Sequence, residues 1–99
     1  MRTVKELSKM DGRVYVFVKD ESIRKILQDA ENEGFTFGDQ VLPTDRKETA
    51  DIYAINEGGT INFLGFAGHM AFHHADHVGS DVLIKVDYEK YRNGEDFLI

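Results

Sequence analysis

All four histidines of the chain, His69, His73, His74 and His77, fall within nine positions of the stretch "FAGHMAFHHADHVGSD", residues 66–81. Imidazole is the commonest protein ligand for zinc and related divalent metals, so spacing decides what this group can do. If residues 67–78 are helical, His69, His73 and His77 recur at i, i+4 and i+8 along one face. Two histidines four apart can share one Zn²⁺. All three cannot: at about 1.5 Å rise per residue His69 and His77 lie about 12 Å apart, against Zn–N bonds of about 2 Å. A site would use 69/73 or 73/77, with Asp76 or a distant carboxylate completing it, and His74/His77 offers another edge. If the stretch is a loop, "HHADH" becomes a compact local cluster. The chain has no cysteine, which removes thiolate ligands and disulfides alike.

Three further readings compete with the metal. The group can be a surface patch with no ligand, because polar side chains on an outer face need no special role. It can respond to pH: imidazole ordinarily titrates at about pH 6.5, and protonating all four would move the formal charge from −6 to −2. Catalysis is the third. Ser80, His77 and Asp76 or Asp81 make a triad on paper, but they are crowded in sequence and the G-x-S-x-G elbow is missing. Acid–base work by His73 or His74 with Asp51, Glu57 or Asp76 stays open, since spatial neighbours are invisible at this level. Neither G-x-x-x-x-G-K-[ST] nor G-x-G-x-x-G occurs, which excludes nucleotide binding by those two routes.

The elements that must hold this stretch are legible from hydrophobic period. "TVKE" at residues 3–6 has capping-box spacing, with Thr3 and Glu6 opening a short helix that buries Val4 and Leu7. "RVYVFV" (13–18) alternates Val14, Val16 and Val18 against Tyr15 and Phe17, so both faces are apolar and the strand is central. From Asp20 the period changes: Ile23, Ile26, Leu27 and Ala30 form one helical stripe, stopped at Gly34. "FTF" (35–37) can return to the sheet. Residues 38–50 form a long polar connection holding the only proline, Pro43, and are a candidate binding loop. Runs 52–56 and 60–66 around Glu57-Gly58-Gly59 predict a hairpin. In "DVLIKVDY" Val82, Ile84, Val86 and Tyr88 face inward, and Asn93-Gly94 predicts a second hairpin that folds "EDFLI" back. Phe97, Leu98 and Ile99 then either pair within the sheet or dock on a second copy.

Ninety-nine residues with 41% hydrophobic and 11% aromatic content make one domain with an ordinary core. The start "MRTVKELSKMDG" has no apolar signal region, and the longest apolar run, "VYVFV", is far short of a membrane span. With the lack of cysteine, this places the expected site of action in the cytoplasm. Residues 1–19 carry five basic and two acidic side chains (+3), leaving seven basic against sixteen acidic (−9) in the rest. An acidic body disfavours direct contact with nucleic acid or an anionic membrane. It would suit a competitor for the basic groove of a nucleic-acid enzyme, or simply keep a small domain soluble.

"AENEGFTFGDQVLPT", "INFLGFAGHMAF" and "VDYEKY" together resemble small proteins carried by phages and mobile elements of Gram-positive bacteria. The resemblance implies an accessory or host-interacting role and assigns no residue a function.

The expected architecture is α+β over residues 1–99: a small, mostly antiparallel sheet of roughly four to five strands with one main amphipathic helix on one face. The expected function is a non-enzymatic binding or regulatory module that associates with itself as a homodimer or with another protein. The alternatives are a divalent-metal protein using His69, His73, His74 and His77, with Zn²⁺ as the model ion, and an acidic inhibitor of a nucleic-acid enzyme.

Overall fold

The computed structural model describes residues 2–47 and 49–99. The first helix, α1 (Val4–Ser8), opens with Thr3, whose hydroxyl accepts from the Glu6 amide at 3.1 Å. Glu33 satisfies the next two free amides of that first turn: its carboxylate accepts from Val4 N at 2.9 Å and Lys5 N at 2.8 Å. A carboxylate at this end is favoured by both the unpaired N–H groups and the helix dipole. Val4 and Leu7 are fully buried, which is what holds so short a helix in place.

Strand β1 (Arg13–Phe17) leads into α2 (Asp20–Asn32), whose buried Ile23, Ile26, Leu27 and Ala30 are the predicted stripe. Gly34 follows with φ +87°, the left-handed conformation that ends helices. Phe35 and Phe37 are buried, but "FTF" reaches the sheet only through one bridge, Thr36 to Thr60. Among its described residues the 38–50 connection makes one 3-10 turn, at Pro43–Asp45, which meets α2 where Glu31 accepts from Thr44 N and Oγ1 at 3.0 and 2.6 Å. Strands β2 (Ile52–Asn56) and β3 (Thr60–Phe63) form the predicted hairpin, with Gly59 at φ +90°. Then come α3 (Phe66–His74), the two-residue β4 (His77–Val78), β5 (Asp81–Asp87) and α4 (Tyr88–Arg92). The strand order is β3-β2-β1-β5-β4. Only β1 and β5 pair in parallel, so the fold is a mixed but mostly antiparallel α+β sheet with β1 at its centre.

The sheet is covered on both faces, with the main helix α2 on one of them. Val14, Val16 and Val18 join α1, α2 and α4 residues in the larger core, while Tyr15, Ile52, Ala54 and Leu83 pack with Phe72 of α3 in a smaller one. The alternation of β1 is thus a two-faced one, as its aromatic side required.

Three expectations about the C-terminal third are corrected. Val82 is half exposed instead of inward, and Leu83 is buried on the opposite face, because α3 supplies an apolar surface there. Tyr88 starts α4, capped by the Asp87 carboxylate accepting from Lys90 N at 3.2 Å. Asn93-Gly94 therefore ends a helix and does not close a two-strand hairpin; Gly94 sits at φ +77° just past the cap. The tail still returns to the sheet. Asp87 N–H donates to Phe97 O and Ile99 N–H to Lys85 O, flanking a Val86–Leu98 bridge. Tyr88 and Arg92 tie α4 to α2 through one carboxylate oxygen of Asp29, the arginine Nε at 2.8 Å.

Candidate functional site: the helix of the histidines

α3 begins after Gly65 and runs nine residues without an Asp, Glu, Lys or Arg. Its seat depends on Gly68, where an added Cβ would come within 2.7 Å of the Leu64 side chain. Phe72 is the one buried side chain of the helix; it lies 6.5 Å, centroid to centroid, from Phe17 of β1. Part of the outward side is apolar too. Phe66 is 82% exposed and Met70 45%, and at i and i+4 they stand one above the other. The exposed His73 and His74 share the helix surface with them.

The helix ends at His74, earlier than the 67–78 span considered from sequence, and this breaks the histidine row. His69 turns toward the loop before β2, with Nε2 2.9 Å from an Asp51 carboxylate oxygen and Nδ1 3.2 Å from Gly65 O. Both partners are acceptors, and a neutral ring donates to one of them at a time. His73 stands edge-on to Phe72 at 5.4 Å, and its ring centroid is 6.3 Å from that of His74. His77 has left the helix altogether and pairs with Val82 in the β4–β5 ribbon. Among the described residues no three His, Asp or Glu side chains gather where one ion could join them. The structure therefore brings together His69 with Asp51, a pairing 18 positions apart that no local spacing announces, and His73 with His74. Ser80, in the turn between β4 and β5, makes no side-chain hydrogen bond to His77 among the described residues, so the paper triad is not assembled.

Among the open clefts elsewhere are two of larger volume. One of about 590 Å³ runs beside β5, between β4 and the returning tail, with Val82, Leu98 and Ile99 on its walls. The other, about 720 Å³, lies between α2 and residues 44–47 and 49 of the long connection. In that connection the Asp39 carboxyl is held below its usual range by the hydrogen bond from Arg46, and Glu31 by the Thr44 hydroxyl. The arginine also stacks on Phe37 at 4.5 Å.

No family model matches this chain, and comparison with curated proteins and with solved structures finds no significant similarity. No helix among the described residues is long and apolar enough to cross a membrane.

Proposed function

We propose that the protein is a small non-enzymatic interaction module that pairs with a second copy of itself through the open face of α3. The observation that carries this reading is Phe66, an aromatic ring 82% exposed on a helix with no charged residue. Large apolar side chains of this kind are the anchors of protein interfaces. Charge favours a second copy as the occupant. Two chains of −6 each repel wherever their acidic surfaces approach, and an uncharged face lets them meet at least cost. A two-fold contact would set Phe66 of one copy against Met70 of the other.

A nine-residue helix is about 13 Å long. Alone it covers less than the roughly 800 Å² per partner of a standard stable complex, which puts the association in the micromolar class. The C-terminal "DFLI" segment, the other route to a dimer, already pairs with β5 of its own chain. Absence of cysteine accords with a cytoplasmic setting, and the resemblance to phage and mobile-element proteins accords with an accessory role. Sedimentation velocity of the untagged protein tests the proposal: a dimer that dissociates on dilution through the micromolar range is expected. A sharp monomer at about 100 μM would overturn it.

A further inference from the structure

The 720 Å³ cleft between α2 and the long connection concentrates positive charge on an acidic protein. Among the described residues its walls carry Arg24 and Lys25 from α2 and Arg46 and Lys47 from the connection, four of the twelve basic residues, and one carboxylate, Asp45, while Asp39 pairs with Arg46 and Glu31 with Thr44. Gln28 and Thr49 add uncharged donors. Arg24, Lys25 and Lys47 are exposed and form no ion pair with any described residue. Arg46 differs from them. It is fixed from two sides, by Asp39 and by its stack on Phe37, and only one of its terminal nitrogens makes a hydrogen bond. Its Nε is buried with no hydrogen-bond partner among the described residues. A planar guanidinium already held in place loses little freedom on meeting a second anion.

We infer that this cleft binds a small ligand carrying two or more phosphoryl groups. Like-charged cations gathered in one concavity strengthen the local potential, and Arg24, Lys25 and Lys47 have no ion-pair partner among the described residues to offset it. Phosphoryl oxygens match the guanidinium fork, the ammonium groups and the hydroxyl donors better than a lone carboxylate does. The distribution over two elements favours more than one phosphoryl group: each element contributes an adjacent pair, 24/25 and 46/47, to the lining. The cleft is open and has no aromatic platform for a base, so recognition rests on the anion and not on stacking.

The test is titration of the ¹⁵N-labelled full chain with inorganic pyrophosphate at low salt, followed by amide shifts. Expected are saturable shifts confined to residues 24–28 and 44–49, with a Kd below about 1 mM and weaker binding of monophosphate. The double variant Arg24→Gln/Lys47→Gln should weaken pyrophosphate binding about tenfold or more, since it removes two charge-assisted contacts. Both residues are exposed, so its melting temperature should match the wild type. Lys5→Gln/Lys9→Gln, with the same loss of charge on the other side of the sequence, should bind as the wild type does. The inference is overturned by shifts scattered over all basic residues, by no saturation below about 10 mM, or by equal binding in the two double variants.

Discussion

Phe66→Ser is the perturbation that separates the interaction reading from a purely structural one. In the free chain the ring is 82% exposed, so its removal takes almost no burial from the monomer, and the substitution sits at the first position of α3. Exposed substitutions of this kind stay within about 0.5 kcal/mol of wild-type stability. In the proposed dimer the same ring would be enclosed. Burying a phenylalanine side chain is worth about 2 kcal/mol, and two-fold symmetry counts it twice, giving about 4 kcal/mol per dimer. That is roughly a thousandfold in Kd and moves a micromolar association into the millimolar range. Sedimentation velocity from about 1 to 300 μM reads the association, and urea unfolding reads the monomer. Phe72→Ala is the matched contrast: this ring is only 6% exposed and fills the smaller core, so its truncation should cost about 3 kcal/mol in stability. If Phe66→Ser leaves the dimer intact, or destabilises the monomer as much as Phe72→Ala does, the reasoning fails.

Gly12 stands at φ +156°, and a Cβ there would meet Val82 O at 2.5 Å; Gly12→Ala should therefore cost about 3 kcal/mol or more in urea unfolding, a loss that Gly58→Ala, which meets nothing, should not share. Alkali should unfold the protein by a defined route. Burial first of all pushes the Tyr91 hydroxyl up to about 12 and raises Tyr88 further still, aided by its bond to Asp29. Since unfolded tyrosine titrates at about 10, the stability they confer is complete below that pH and is lost as pH climbs through 12. Absorbance at 295 nm should show both rings ionising together with unfolding; titration at about pH 10 in the folded state would contradict this. Tyr88→Phe, which keeps the buried ring but removes the donor to Asp29, should cost about 1.5 kcal/mol, read as a lower urea midpoint with an unchanged slope. For the metal alternative, His77 lies in a strand apart from the helix of the other three, and among the described residues no three candidate ligands gather. Untagged protein should accordingly release Zn²⁺ during native mass spectrometry, whereas retention at fixed stoichiometry, abolished by His73→Ala, would restore the histidines as a metal centre.

Much of the scaffold could be read from local order. The valine–aromatic alternation of residues 13–18 gives a central strand because a pleat sends successive side chains to opposite faces, and β1 is that strand. The stripe at Ile23, Ile26, Leu27 and Ala30, the Thr3 cap and the Gly58-Gly59 turn likewise depend on neighbours within a few residues. The aromatic face of β1 also implied a second covering layer, but not that α3 would supply it. Where contacts span long separations the sequence was silent. Glu33 capping α1, Asp51 meeting His69, and the meeting of 24/25 with 46/47 join residues that only the folded chain places side by side. The histidine row shows why most clearly: spacing suggested one face, yet the helix stopped at His74 and His77 was drawn into a ladder with β5. Period reports which way a residue would point if an element continues, but where it ends is set by what it packs against, and that is decided by the tertiary structure.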